Sequence, residues 1–521
     1  MKEKQETKNG TLSAAGDLTG HSRIAQNVMW SWAGHLVFVV VGFIMPRLIS
    51  DQIGQFALGI WDFCWSLVAY LNVASLGVGS STNRYVAKYR AAGDTLTLRR
   101  AISSVVAIQI LIGFIMLVAI AVLVWYLPVW FGDRLGTYTE ATRWVVGLLG
   151  GSVVVQMWFD AFRGVITGCH RWDLHNGILS GSYALTAVAM AISLLLGHGL
   201  LGLAVIYFSS TVLTELMRVV LAFWICPELS IRFSYVRWTE GKQMLIFGAK
   251  SFLLGVPGLI VLQTINIAIV GALGPAALAV FSRPIGLVRH AETFMNKFSH
   301  IFTPMAGSLH GQNDAAALRK LLLDGAHYGS AFSLPLVLLL AVLGDALITI
   351  WMGPEYAKFE LIALMAAGMF LPMSQGPVVK VLMGLNVHGR IGLVGLLISL
   401  IILAIGFGII DMIGWSLINA AIITVVPLML VNGIILPAYA CRHLKVPLWE
   451  YVRRAFLVPV LCGVPFFLVL FANRIVFSGR PLVMLISGSL SGALVLGVLY
   501  WRFIVPPEYR EKIQHRLRPG S

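Results

Sequence analysis

The chain has 521 residues, of which 58% are hydrophobic and only 12% charged, and its formal net charge is +15. Soluble domains carry about 25% charged residues; a mean hydropathy of +0.84 therefore excludes an ordinary soluble fold and calls for an integral membrane protein. The five cysteines, Cys64, Cys169, Cys226, Cys441 and Cys462, form no CxxC or Cys/His cluster, so no disulfide framework, metal site or cofactor is expected.

In chain order, residues 1–22 are polar, contain no apolar core for a cleavable signal, and read as a disordered cytoplasmic tail. Apolar runs separated by polar or Gly/Pro breaks then predict helices long enough for a bilayer, which takes roughly 20 residues per crossing. The first six fall at 27–49, 57–79, 104–127, 143–166, 177–197 and 200–224, and form an N-lobe over 23–226. A basic linker follows at 227–243. The next six, at 245–270, 276–300, 323–350, 361–383, 391–412 and 415–440, form a C-lobe over 244–441. Two more, at 454–472 and 482–502, occupy 442–503, and residues 504–521 form a second cytoplasmic tail. No pattern of short alternating strands is present, so the fold class is an all-α polytopic membrane protein of about fourteen transmembrane helices.

Loops on the side of the N-terminus carry about 25 Lys and Arg, whereas the opposite loops hold Arg134, Lys358, Arg474 and Arg480. That asymmetry places both termini in the cytoplasm. It also accounts for most of the net charge, so no nucleic-acid partner is needed. The basic loops are expected to lie against anionic lipid headgroups.

The chain matches itself at a shift of about 220 residues. "GDTLTLRRAI" (Gly93–Ile102) returns as "NDAAALRKLL" (Asn313–Leu322), aligning Asp94, Leu98, Arg99 and Arg100 with Asp314, Leu318, Arg319 and Lys320. "LPVWFG" ending at Gly132 returns as "ITIWMG" ending at Gly353, and "TGCHRW" as "MGLNVH". Because each lobe has an even number of helices, both enter the membrane from the same side, the plan of transporters built from parallel repeats.

Charges inside spans are costly and mark function by default. Arg143 and Lys297, near span ends, are expected to snorkel, Lys380 in part. Acid–base spacings of three or four predict self-neutralised pairs: Arg47 with Asp51, Asp160 with Arg163, Glu215 with Arg218, and Arg289 with Glu292. Three residues have no such partner: Arg283, roughly 11 Å into its span at 1.5 Å per residue, Lys250, and Asp62, the lone acid of the second span. On a helical wheel Arg283, His290 and Lys297 share a face within about 40°, and Pro284 beside Arg283 predicts a kink there. This stripe is expected to face a water-filled cavity.

"RIAQNVMWSWAGHLVFVVVGFIMPRLIS", "LGVGSSTNRYVAKYRAAGD", "ITGCHRWDLHN" and "LGPAALAVFSRP" resemble bacterial polysaccharide transporters, the oligosaccharide flippases of the multidrug/oligosaccharidyl-lipid/polysaccharide exporter superfamily. The resemblance covers roughly residues 24–440. It implies two pseudo-symmetric six-helix lobes, as in the MATE transporters, plus two C-terminal helices. It also implies a non-enzymatic exporter that moves a polyprenyl-diphosphate-linked oligosaccharide from the inner to the outer leaflet. The absence of a GxxxxGK[ST] phosphate loop agrees. Related precursor flippases keep a cavity arginine where Arg283 falls. Arg283, Lys250, Arg289, His290, Arg47 and Lys380 are therefore the candidate diphosphate-binding residues, and Asp62 and His290 the candidates for ion coupling. A polysaccharide polymerase and glycosyltransferases are the implied partners. The alternatives are a lipid II-type flippase, a cation-coupled drug or metabolite antiporter, and a non-transporting membrane enzyme or scaffold. An antiporter favours acidic cavity residues, whereas here unpaired Arg and Lys outnumber the unpaired acid; a transferase needs clustered carboxylates on a wet loop, and the short outer loops have none.

Overall fold

The computed structural model describes residues 24–75 and 78–511, without the side chains of 24–28, 31, 74–75, 78–80, 247 and 249–252. The expected tail at 1–22 and the end of the expected tail at 504–521 lie outside the described residues. Contacts divide the chain into two compact units, Met1–Phe252 and Leu253–Ser521.

The N-terminal unit opens with α1 (Ile24–Ala69) and a short 3-10 helix (Tyr70–Ser75). α2 (Val78–Ala91), α3 (Thr95–Leu135), α4 (Thr139–Gly168), α5 (Trp172–Leu195) and α6 (Gly199–Ile225) follow. α7 (Trp238–Phe252) completes the unit. The first two predicted spans are one helical run interrupted at Gly54, whose φ of 87° and ψ of 166° no L-residue adopts readily. Gly164 and Gly168, spaced four apart on α4, let α2 approach closely: a Cβ on Gly168 would lie 2.7 Å from Val86 Cβ. Small residues serve this purpose between membrane helices. Leu98, Ile102, Phe162, Ile166 and Met244 close the core of this end of the unit, which ties α7 to it.

The C-terminal unit repeats the plan. α8 (Val256–Leu273), α9 (Pro275–Ser299) and α10 (Phe302–Gly311) precede the long α11 (Ala315–Trp351). A broken helix follows in three pieces, α12 (Phe359–Gly368), α13 (Phe370–Ser374) and α14 (Gly376–Gly384). α15 (Gly389–Ile413) and α16 (Leu417–Leu430) lead through a π turn (Val431–Ile435) into α17 (Leu436–Leu444). α18 (Leu448–Val476) and α19 (Pro481–Phe503) then pack on α11 through Leu343, Phe466, Leu470 and Met484. A bidentate ion pair, Arg474 to Asp345 at 2.7 and 2.8 Å, pins them there.

Among the described residues, eleven helical segments are long and apolar enough to cross a membrane. Two of these, Trp32–Val73 and Thr95–Gly168, each hold two of the predicted crossings. The charged α9 is the remaining one, which recovers fourteen. Leu111, Trp125, Val129, Leu185 and Leu490 stand exposed on the outer faces, as hydrocarbon solvent permits. Two boundaries differ from expectation. The span expected at 245–270 is broken between Phe252 and Val256, and that expected at 361–383 is interrupted around Gly368 and Gln375, near Gly255, Pro372 and Pro377, which break helical regularity.

The internal repeat holds at atomic detail. Asp94 and Asp314 each cap a helix by accepting from the N–H three residues on, both at 2.9 Å. The hydroxyl and N–H of Thr97 hold the Asp94 carboxyl below its ordinary value. The residues just before the two caps, Gly93 and Asn313, both have positive φ (67° and 56°). Arg99 Nε reaches the Glu228 carbonyl at 2.8 Å, and Arg319 Nε the Leu444 carbonyl at 2.9 Å. Gly54 and Gly274 share one conformation, and Gly384 takes the place of Gly168, where a Cβ would lie 2.6 Å from the Thr303 carbonyl. The match of Gly132 to Gly353 is looser: Gly132 sits inside α3, whereas Gly353 follows the end of α11 with φ of 113°.

Gly54→Ala and Gly274→Ala should each destabilise the detergent-purified protein by about 1–3 kcal/mol, seen as a lower melting temperature. Gly177→Ala, in a regular helix with nothing within 4 Å of the added methyl, should leave it unchanged.

Candidate functional site

In the N-terminal unit the membrane-embedded charges are consumed locally. Arg47 lies 2.7 Å from Asp51, and Arg163 lies 2.6 Å from Asp160. Arg218 pairs with Glu215 inside the helix packing. Arg143 pairs with Glu140 at 2.9 Å and also donates to the Val124 carbonyl. All these pairs have the i,i+3 or i,i+4 spacing that places two side chains on one face. Asp62 is half-buried on α1, its own carbonyl accepting from Ser66.

The C-terminal unit encloses a cavity of about 490 Å³. It is walled by α8, α9, the broken α12–α14 helix, α15, α16 and the π turn. Its space comes from backbone irregularity and small residues. Gly258, Gly376, Gly392 and Gly395 line it, and a Cβ on Gly258 would meet nothing within 4 Å. Pro427 removes one helical hydrogen bond from α16 four residues before the π turn.

Into this cavity face two cations, Arg289 from α9 and Lys380 from α14. They share it with Glu292 and with the amides Gln263, Asn296 and Asn432. Ile285, Val288, Arg289, Glu292 and Asn296 recur at spacings of three and four, so one stripe of α9 lines the wall. This is not the expected stripe: Arg283, His290 and Lys297 are not among the lining residues. Arg283 is 4% exposed, and its Nε donates to the Ala279 carbonyl at 3.2 Å, one turn back along α9. The helix runs on through Pro284. His290 is half-buried on another face of α9. Lys250 belongs to α7, and its side chain is outside the described residues.

Arg289 and Glu292 have the spacing of a salt bridge, yet no ion pair within 4 Å joins them among the described residues. Both reach the cavity instead. Lys380 likewise makes no ion pair among the described residues, while its carbonyl accepts from Thr303 Oγ1 at 3.2 Å. Two cations and one carboxylate in a low-dielectric wall give a site biased toward anions. An oxyanion there would meet the planar donors of an arginine and the point charge of a lysine. Among the described residues, no group of three or more His, Cys, Asp or Glu is arranged to hold a metal. The amides escaped sequence reasoning; the signal for Gln263 was a polar residue inside the apolar run of α8.

Residues 94–360 match the family model described as polysaccharide biosynthesis protein. No curated protein matches the chain. Among solved structures, the lipid II flippase MurJ in an inward closed conformation matches with a TM-score of 0.70 at 11% identity, over 94% of this chain and 100% of that one. An inward-facing multidrug resistance MATE family transporter of the MOP superfamily matches with a TM-score of 0.63 at 15% identity, over 79% and 94%. A MOP superfamily transporter from Pyrococcus furiosus, described by a binding pocket of reversed polarity, matches with a TM-score of 0.56 at 16% identity, over 82% and 96%. At these identities the shared property is the fold. Taken with the fourteen helices and the repeated capping corner, these matches place the chain in the polysaccharide biosynthesis protein family, on the fold of the MOP exporter superfamily.

Proposed function

We propose that the protein is a flippase that moves a polyprenyl-diphosphate-linked oligosaccharide from the inner to the outer leaflet for cell-surface polysaccharide synthesis. The observation that carries this reading is the pair of cavity cations, Arg289 and Lys380, held among membrane helices and making no ion pair within 4 Å among the described residues. Charge at membrane depth is retained where it meets substrate or water. A diphosphate presents oxygens that both side chains bind well. The amides Gln263, Asn296 and Asn432 offer hydrogen bonds to sugar hydroxyls.

The orientation of the reading has both termini in the cytoplasm of a bacterial inner membrane. Moving an anion outward across a negative-inside membrane then gains about 2.3 kcal/mol per charge per 100 mV, a term that helps drive export without ATP. Arg283, Arg47, Lys250 and His290 are further proposed contacts along the path, and Asp62 and His290 the proposed coupling positions. Polymerases and glycosyltransferases that make and consume the glycan are the expected partners.

Glu292 supports one second reading, a cation-coupled antiporter on the same fold, in which a cavity carboxylate with amide neighbours holds the cation. The two readings separate on one substitution. In proteoliposomes carrying a fluorescent glycan on polyprenyl diphosphate, Arg289→Glu and Lys380→Glu should each lower flipping at least about tenfold, with melting temperature kept. Glu292→Gln should retain or raise flipping; its loss of flipping, with a cationic drug still exchanged by wild type, would favour the antiporter.

A potassium gradient with valinomycin provides a second check. An inside-negative potential should accelerate outward flipping of the diphosphate carrier in wild-type vesicles and leave an uncharged carrier unaffected. Equal rates for both would remove the proposed driving force.

A further inference from the structure

Two thiols meet at one end of the N-terminal unit. Cys169 is the first residue after α4 and Cys226 the first after α6, so both lie just beyond helices that cross the membrane. Cys226 is buried in the core formed with Val86, Phe162 and Leu229, and Cys169 is half-buried against the same core. The Cys226 thiol donates to Glu228 Oε2 at 3.4 Å and is hydrogen-bonded to the Cys169 sulfur. Arg90, near the end of α2, has its Nε 3.9 Å from that same Glu228 oxygen and donates to Cys169. One cation, one carboxylate and two thiols therefore form a single cluster.

The internal repeat shows that the scaffold does not require this cluster. A shift of 216 carries Cys169 to Leu385, Cys226 to Arg442 and Glu228 to Leu444. The backbone is alike at both places. His170 and Asn386 have φ of 58° and 57°, and the Glu228 and Leu444 carbonyls accept from Arg99 and Arg319. In the second unit, Leu385 and Leu444 pack with Phe302 and Val381 in an apolar core. The first unit places a thiol and a carboxylate at those two positions.

The surroundings give the two thiols different parts. The thiolate is the reactive form, and donors and a nearby cation favour it. Cys169 has both: the hydrogen bond from Cys226, and then Arg90, hold its thiol below the ordinary value against the cost of burial. Cys226 is the donor in that bond, which together with burial pushes its thiol up. Hydrogen-bonded thiols are a side-chain rotation away from an S–S bond of about 2.05 Å. The other cysteines, Cys64, Cys441 and Cys462, are buried.

We propose that Cys169 and Cys226 form a reversible oxidation site that takes a hydroperoxide and closes to a disulfide joining the ends of α4 and α6. The Cys169 thiolate attacks one peroxide oxygen, the O–O bond breaks, and the leaving hydroxide is protonated to water. Cys169 becomes a sulfenic acid. Cys226 then gives its proton to Glu228 and attacks the sulfenic sulfur. The S–O bond breaks, and the second hydroxide takes that proton from Glu228. Two thiols lose two electrons and two protons, hydrogen peroxide gains them, and two waters form. A thiol reductant reverses the bond by exchange. In the orientation of the functional reading, the site faces the cytoplasm, where thiols are kept reduced and disulfides are transient. The chemistry itself does not depend on what the protein transports.

The experiment treats the full-length protein in detergent with hydrogen peroxide and maps every cysteine by differential alkylation and mass spectrometry. Wild type should yield the Cys169–Cys226 peptide pair, reversed by dithiothreitol, with Cys64, Cys441 and Cys462 still thiols. Cys226→Ser should stop at the Cys169 sulfenic acid, captured by dimedone. Cys169→Ser should leave Cys226 a thiol. Arg90→Gln should slow oxidation of Cys169 about tenfold, the thiolate lost with one pKa unit. The two cysteine variants keep the test decisive if Arg90→Gln fails to fold. A dimedone adduct on Cys226 in Cys169→Ser overturns the proposal. So does oxidation of all five cysteines at one rate, or the absence of the Cys169–Cys226 pair from peroxide-treated wild type.

Discussion

Inside a bilayer a charge is held only where a counter-charge, a backbone dipole or water replaces what the aqueous phase supplied. That constraint sorts several of the charged residues within the spans of this protein. In the N-terminal unit, Arg47, Arg163 and Arg218 each find an acid one turn away on their own helix. Arg283 finds a backbone carbonyl. Arg289, Glu292 and Lys380 make no ion pair within 4 Å among the described residues, and they line the space that helices α8, α9 and α12 to α16 leave open. The cavity gives these charges room, and the charges give it a sign.

The two units share their corners and differ in their interiors. Capping by Asp94 and Asp314, the glycine breaks at Gly54 and Gly274, and the tight seams at Gly168 and Gly384 are common to both. These are places where backbone geometry admits few residues, so they persist while side chains diverge. At the shift of 216 that relates Gly168 to Gly384, Lys380 stands where the first unit has Gly164. Gly164 brings its helix within contact of Thr82; the lysine instead sends a cation into the cavity. The candidate site arises where the repeat is broken.

How much of this was legible depends on what one helix knows about its neighbours. Span number, the repeat and the local ion pairs follow from hydropathy and from spacings of three, four and about 220 residues, all properties of the chain itself. Arg283, His290 and Lys297 share one face of a helical wheel, but a wheel does not say which face meets a cavity. Arg289 and Glu292 show the related limit: a spacing that allows a salt bridge does not oblige one when wet space is available. Gln263, Asn296 and Asn432 carry no charge and break no pattern strongly, so they emerged only with the cavity around them. The breaks near Leu253 and Gln375 are modest in sequence because glycine and proline are common in membrane helices generally.

The π turn at Val431–Ile435 has a consequence for how such a unit can diverge. α6 runs unbroken over Gly199–Ile225, whereas in the second unit the stretch Leu417–Leu444 is interrupted by the π turn. In a regular helix an additional residue rotates everything beyond it by about 100°, which would turn Tyr439 and Cys441 out of their packing. The π turn takes up the surplus within a single turn, a feature that recurs at functional sites. A duplicated gene can in this way accept a one-codon insertion without disturbing the end of the helix, and the bulge left behind opens beside Asn432 into the cavity wall. A bulge absorbed locally is thus a route by which one half of a repeated scaffold can reshape its own cavity wall.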